Sequence, residues 1–414
     1  MDKENVITVG AHLPENSRYL VEFNLEELAR LVDTADGEVK HTFIQKIDKI
    51  NSKYFIGYGK LGEIKDYILA FGNIESVVFD EALTPAQQRN LEEFLDVKVI
   101  DRTRLILDIF AKRANTSEGK LQVELAQLQY MLPRLTGKGI ALSQQKGGIG
   151  TKGPGEKKLE VDARRIRDRI AKLKKDLVNI KKIREQQRSK RKNYSIPFVA
   201  IVGYTNAGKS TLVRQFTDAE IFCEDKLFAT LDPKVKKFIL PNGQKILIAD
   251  TVGFIQKLPH ELIAAFRSTL EEIKEATLII HLIDISIKHY DTQKKAVYNA
   301  LKEIGVHDIP VIEVYNKSDL LESDTREKLE QEKNSLVISA KNKFGFKKLI
   351  FEIIENLRQF MVHARFFIPY SDLDIVHDIY EQGVVYSVNY ESDNICVEAD
   401  VSKDMYAKLK KYEG

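Results

Sequence analysis

Hydrophobic positions change their spacing several times along the chain, and each change marks an element. "EELARLVDTA" (26–35) and "PAQQRNLEEFLD" (85–96) repeat apolar residues at helical spacing, whereas "ESVVFD" (75–80) and "VKVI" (97–100) are short apolar runs of strand type. Residues 1–112 are therefore expected to form an α/β domain. Beyond it Leu121, Leu125, Leu128 and Leu132 step by four, three and four, one face of a helix that Pro133 is expected to end. "GKGIALSQQKGGIGTKGPGE" (137–156) is too rich in glycine to be helical throughout. Ile166, Ile170, Leu173, Leu177 and Ile180 then resume a seam of four, three, four, three. Residues 113–192 thus read as an antiparallel helical hairpin with a glycine-rich tip.

"NYSIP" (193–197) marks a boundary, after which "FVAIVG" opens a new domain as a wholly apolar strand. "KFIL" and "KILIAD" flank Pro241-Asn242-Gly243, a hairpin signal. "TLIIHLID", "VIEVYN" and "SLVISA" follow, separated by helical stretches. Such a series predicts an α/β domain over 193–363 with a mostly parallel sheet covered on both faces. Residues 364–414 read strand, helix, strand, strand, helix, a small C-terminal α/β domain with "VVYSVNY" and "ICVEADV" around Glu391-Ser392-Asp393-Asn394.

Composition narrows the class. The 414 residues are 43% apolar and 30% charged, typical of a soluble protein of several domains. No apolar run is long enough to span a bilayer, and the first residues lack the apolar core of a secretion signal. Only two cysteines occur, Cys223 and Cys396, which argues against a disulfide framework and for a reducing, cytoplasmic setting. The net charge of +3 conceals an asymmetry. Residues 151–193 hold 17 Lys or Arg against 6 Asp or Glu, a local +11, so the remainder is acidic. Concentrated charge of this kind suits a polyanion-facing element.

Candidate chemistry is concentrated after residue 197. "GYTNAGKS" (Gly203, Tyr204, Thr205, Asn206, Ala207, Gly208, Lys209, Ser210) matches the phosphate-loop pattern between a strand and a helix, with Thr211 continuing it. Its backbone N–H groups can wrap a phosphate, Lys209 would bridge the β- and γ-phosphates, and Ser210 would ligate Mg²⁺. Asp250, ending a buried strand, is the candidate for holding Mg²⁺ through a water, with Thr251 and Val252 leading to Gly253, whose N–H could meet the γ-phosphate. "LFATLDP" supplies Phe228, Ala229 and Thr230, with Thr230 the candidate switch hydroxyl on Mg²⁺. "NKSD" follows a strand: Asp319 can accept from guanine N1–H and the 2-amino group, with Asn316 and Lys317 bracing the pocket. Ser339, Ala340 and Lys341 can offer a backbone N–H to guanine O6. In this order the motifs point to GTP or GDP with Mg²⁺. Phe254 occupies the position where many GTPases carry a glutamine that orients the attacking water.

"GYTNAGKST", "LFATLDP", "DTVGFIQKLPHELIAAFRSTLEE" and "NKSD", with "QVELAQLQYMLPRL" and "GGIGTKGPGEKKLEVD" upstream, resemble the HflX family of ribosome-associated GTPases. The resemblance covers essentially the whole chain. It implies binding to the large ribosomal subunit and its rRNA, splitting of stalled or idle ribosomes, and slow hydrolysis accelerated by the ribosome. It also implies that the hairpin tip reaches toward the peptidyl-transferase region, which makes Lys146, Gly147, Gly148, Gly150, Lys152, Gly153, Gly155, Lys157 and Lys158 candidate rRNA contacts. Lys157-Lys158 departs from the Thr-Gln expected there and adds positive charge. Off the ribosome the expectation is a monomer; in the cell, a role under stress. Phe254 resembles the hydrophobic replacement found in this family. Independently, a lysine-bearing glycine loop on a basic hairpin suits folded RNA, while the near absence of aromatics from the hairpin disfavours base stacking there.

One further pattern competes. "GYGKLG" (Gly57, Gly59, Lys60, Gly62) fits a dinucleotide fingerprint between a short strand, "KYFIG", and a helix, with Asp80 ending the next strand. It leaves open an RNA-remodelling enzyme with a second, ATP, site. A GTP switch acting on a protein effector is the other alternative.

Overall fold

A computed structural model describes residues 3–136, 154–192, 196–217, 228, 234–257, 273–288, 290–331 and 336–414. The chain divides into two compact units. One comprises Met1–Ile180, Asp225–Ala229 and Gln256–Phe266; the other comprises Lys181–Glu224, Thr230–Ile255 and Arg267–Gly414.

The first unit is built on a parallel sheet of order β2-β1-β3-β4, from β1 (Glu4–His12), β2 (Gly37–Lys46), β3 (Ser76–Phe79) and β4 (Lys98–Asp101). Most of β1 is buried, as its continuous apolar run and inner position require. Helices α1 (Arg18–Thr34), α2 (Tyr58–Phe71), α3 (Pro85–Leu95) and α4 (Arg102–Arg113) complete the fold. Local chemistry sets their starts. Ser17 Oγ accepts from the Leu20 N–H, Thr84 and Gln87 form a reciprocal capping box with Pro85 behind it, and Asp101 Oδ1 accepts from the Arg104 N–H.

Two expectations are corrected in this unit. "KYFIG" is a tight turn instead of a strand: Asn51 and Phe55 exchange backbone hydrogen bonds, Asn51 Oδ1 accepts from the Lys53 and Tyr54 N–H groups, and Phe55 has φ +68°. Pro133 does not end α5 (Ser117–Thr136) but lies inside it. Arg134 secures that last turn, donating to the Tyr130 and Leu83 carbonyls and to Gln88 Oε1, with its guanidinium stacked on the Tyr130 ring.

Helix α6 (Pro154–Lys192) supplies the predicted long basic element. On it Leu173 is fully buried, Ile166, Ile170, Leu177 and Ile180 are half-buried, and most residues between them are exposed. On α5 the covered face is displaced from the leucine row, because Gln122, Val123, Ala126 and Tyr130 are buried more deeply than Leu121, Leu128 and Leu132. Arg169 of α6 and Glu124 of α5 form a two-pronged ion pair, at 2.6 and 2.7 Å.

The second unit carries a six-stranded sheet of order β10-β9-β8-β5-β7-β6. Its strands are β5 (Phe198–Gly203), β6 (Lys234–Ile239), β7 (Lys245–Asp250), β8 (Leu278–Asp284), β9 (Val311–Asn316) and β10 (Leu336–Val337). All pairs are parallel except the β6–β7 hairpin, as the Asn-Gly turn predicts. Helices α7 (Lys209–Thr217), α8 (Tyr290–Glu303), α9 (Ser323–Gln331) and α10 (Phe346–Arg358) accompany it. Leu349, Ile353 and Leu357 recur every four residues and face the core, all fully buried.

An antiparallel sheet of order β11-β13-β12 follows, from β11 (Met361–Pro369), β12 (Val384–Tyr390) and β13 (Asn394–Ser402), with α11 (Leu373–Gln382) and α12 (Lys403–Leu409). β11 begins at Met361, inside the segment assigned from the sequence to the preceding domain. The α/β class and the phosphate-loop domain thus agree with the sequence.

Candidate guanine-nucleotide site

Strand β5 lies between β7 and β8, so its C-terminal end opens at the middle of the sheet, where parallel α/β folds bind ligands. Glycine is obligatory at both ends of the loop that follows. A Cβ on Gly203 would lie 2.3 Å from the Leu282 carbonyl oxygen. Gly208 has φ +95°, and a Cβ there would lie 2.4 Å from Asn316 Nδ2. Between them Asn206 adopts φ +62° and the Ala207 N–H turns back to the Tyr204 carbonyl. α7 then starts at Lys209, so Ser210 and Thr211 sit in its first turn, where helix N–H groups and the helix dipole favour an anion.

Lys209 is buried, its ammonium donating to the Tyr204 carbonyl at 2.8 Å and the Gly203 carbonyl at 3.2 Å. Burial lowers its pKa to about 8, with Asp250 acting in the opposite direction. Ser210 Oγ donates to Asp250 Oδ2 at 2.6 Å, which places a hydroxyl and a buried carboxylate side by side. Two hard oxygen donors of this kind suit Mg²⁺. Ser210 and Asp250 fit the predicted metal roles, whereas Thr230 and Ala229 lie outside the described residues.

The segment after β7 is stitched to the phosphate loop. The Thr205 N–H donates to the Phe254 carbonyl at 2.8 Å, and the Phe254 N–H to the Gly203 carbonyl at 3.1 Å. Thr251 Oγ1 donates to the Ile201 carbonyl, and Val252 is buried. A Cβ on Gly253 would lie 2.9 Å from Thr205 Cα, so that position too needs glycine. Phe254 is buried, and its side chain has no group to hold a water. Both its backbone polar groups are already engaged with the loop.

Asn316, at the end of β9, joins phosphate and base sides. Its Nδ2 donates to the Ala207 carbonyl at 2.8 Å, and its Oδ1 accepts from the Ala340 N–H at 2.9 Å. Lys317 takes φ +67° and its ammonium pairs with Asp284 Oδ2 at 2.8 Å. Ser339 Oγ donates to Asp319 Oδ1 at 2.6 Å, fixing the carboxylate predicted to read guanine. Lys341 is exposed at the rim. Asp284 stands outside the motifs that mark the other site residues. Its signal is that it ends the apolar strand "LIIHLID" as Asp250 ends "KILIAD".

Other predicted residues stand apart. Phe228 belongs to the first unit, where it is buried edge-on against Phe110, with ring centres 4.5 Å apart. Lys146, Gly147, Gly148, Gly150, Lys152 and Gly153 lie outside the described residues, and for Gly155, Lys157 and Lys158 only helical backbone is described.

The dinucleotide pattern is corrected. Gly57 follows the Asn51–Phe55 turn and donates its N–H to Gln45 Oε1, and Lys60 pairs with Glu63. A Cβ on Gly59 or Gly62 would meet nothing within 4 Å, so neither serves a close internal packing. Asp80 is buried and engaged by Arg102, at 2.7 Å, and by Lys257. Burial raises its pKa, while Lys257 opposes that shift. Arg102 and Lys257 account for the position of Asp80 without a ribose partner.

Comparison with known proteins agrees with this geometry. Residues 22–111 match a family model described as GTP-binding GTPase N-terminal, 113–191 one described as GTP-binding GTPase Middle Region, and 198–317 one described as 50S ribosome-binding GTPase. The chain is 45% identical over 412 residues to the GTPase HflX of Caldanaerobacter subterraneus, covering 99% of this chain and 94% of that one. It is 44% identical over 338 residues to the GTPase HflX of Escherichia coli, covering 81% and 79%. Among solved structures it is similar to a GTP-binding protein of Sulfolobus solfataricus in complex with GDP, at 26% identity and TM-score 0.45, covering 86% of this chain and 99% of that one. With a built phosphate loop and relatives matched over 94% and 79% of their own length, the chain belongs to the HflX family of GTPases.

Proposed function

We propose that this GTPase acts on the large ribosomal subunit and, in its GTP state, separates stalled or idle ribosomes into subunits. The observation that carries the reading is Phe254. The chain binds and hydrolyses GTP, yet the position that commonly orients the attacking water holds an apolar ring with its backbone tied to the phosphate loop. Such a site favours slow turnover until a partner rearranges the loop. The matched model for 198–317 is that of a 50S ribosome-binding GTPase, and a local charge of +11 over 151–193 gives the chain an element suited to structured RNA.

In this mechanism the loop Gly203–Gly208 and the start of α7 wrap the phosphates, and Lys209 neutralises charge between the β- and γ-phosphates. Ser210 and Asp250 would hold Mg²⁺, which offsets charge on the phosphate oxygens when bound. Thr230 and Gly253 respond to the γ-phosphate, and the hairpin with its tip wedges against the large subunit. Hydrolysis releases the factor. No helix among the described residues is long and apolar enough to cross a membrane, and the proposal places the protein in the cytoplasm, partly on ribosomes.

Sedimentation of intact ribosomes with the full chain tests the reading. With a non-hydrolysable GTP analogue the ribosomes should shift toward free subunits, and GDP should leave them intact. Lys157→Gln with Lys158→Gln should weaken ribosome association while preserving affinity for free nucleotide. An unchanged gradient with either nucleotide would refute splitting.

A further inference from the structure

Gly59 and Gly62 of "GYGKLG" serve no internal packing, and their surroundings suggest an external role. Tyr58 opens α2 with 64% of its surface exposed. Its ring meets Phe94 nearly at right angles, with centres 5.4 Å apart, and Tyr54 lies 6.3 Å from Tyr58 and 6.0 Å from Phe94. The three rings brace one another at the surface, so Tyr58 is held in place without being buried. Lysines surround them: Lys53 Nζ lies 4.9 Å from the centre of the Tyr54 ring and Lys65 Nζ 4.8 Å from that of Phe94. Lys60, on the same helix, is instead paired with Glu63 over the Phe43 ring. Residues 46–65 hold five lysines against two acids, Asp48 and Glu63.

Gly59 and Gly62 sit three apart inside α2 with no positive φ, and a Cβ at either would meet only open space. Glycine inside a helix is destabilising, and here neither conformation nor internal packing requires it. What the pair provides is bare backbone beside a rigid aromatic group, open to close approach from outside.

We infer that Tyr58, supported by Tyr54 and Phe94 and flanked by Lys53 and Lys65, is a stacking platform for unpaired RNA. An exposed ring accepts a base only if that base is free of its own stack, which selects single strands over duplex. The lysines complement the phosphates that accompany each base. The bare strip at Gly59 and Gly62 admits the sugar–phosphate chain. The first unit thus supplies the base stacking that the aromatic-poor hairpin lacks. The inference does not depend on ribosome splitting.

Fluorescence anisotropy of the full chain with labelled oligouridine and oligoadenosine, and with a duplex of equal length, tests it. Wild-type protein should bind the single strands more tightly than the duplex. Tyr58→Ala should weaken single-strand binding about tenfold, and Tyr58→Phe should retain it, because the ring and not the hydroxyl stacks. Gly59→Ala with Gly62→Ala should raise thermal stability and still weaken RNA binding, an opposition that a purely structural role would not produce. Single-strand affinity unchanged in both Tyr58→Ala and the glycine double variant would overturn the proposal. So would equal losses for single strand and duplex, which would assign the surface to general electrostatics. The sedimentation experiment above succeeds or fails separately.

Discussion

Lys209 shows how a single residue ties structure to a measurable property. Burial lowers its pKa to about 8, whereas bound phosphates favour the charged ammonium. Below about pH 8 the charge is already present and binding needs no proton uptake. Above it, the ammonium must be regained on binding, so GTP affinity should fall as pH rises, about tenfold between pH 7 and 9. Nucleotide titrations across that range check the sign; a flat profile would mean Lys209 stays charged in the free protein. Asp319 offers a second check. Ser339 fixes one of its oxygens, and Asp319→Asn should shift preference from guanine toward xanthine, read as competition between GTP and XTP. Unchanged discrimination would remove Asp319 from base reading. The motif residues were legible because Gly203 and Gly208 are demanded by contacts at 2.3 and 2.4 Å, and such demands leave a spacing in the sequence. Asp284 was not, because its role is to hold Lys317, a pairing that only the alignment of β8 with β9 creates.

At the scale of elements, periodicity was a good guide where one side of a helix is solvated. The seam of α6 appears as predicted, since each seam residue is less exposed than most of those between. On α5 the leucine row was a poorer guide, because burial there extends to Gln122 and Tyr130, whose polar groups bond Glu118 and Asp101. Local rules also yield to tertiary contacts: the bonds of Arg134 carry α5 past Pro133. The seam has an energetic consequence. Leu173→Ala removes a fully buried side chain and should cost roughly 2–5 kcal/mol, seen as earlier unfolding in denaturant. Glu124→Gln breaks a solvent-exposed ion pair and should leave the unfolding midpoint within error. Equal sensitivity of the two would mean that the ion pair anchors α6 as much as the apolar seam does.

For the whole molecule, the sequence shows a basic segment within an otherwise acidic chain, and a guanine-nucleotide signature that lacks one part. The order of domains was readable from changes in hydrophobic period. The membership of the first unit was not, because it draws in Phe228 and Lys257 from segments far along the chain, and such long-range packing leaves no local pattern. The missing part is the water-positioning side chain at Phe254. The central claim is that the large ribosomal subunit supplies what this site lacks. GTP turnover by the purified chain, alone and with large subunits, small subunits or bare RNA, tests it most directly. The account predicts slow turnover alone, strong stimulation by large subunits, and loss of both in Lys209→Ala. Turnover that is already fast without ribosomes, or that large subunits leave unchanged, would contradict it.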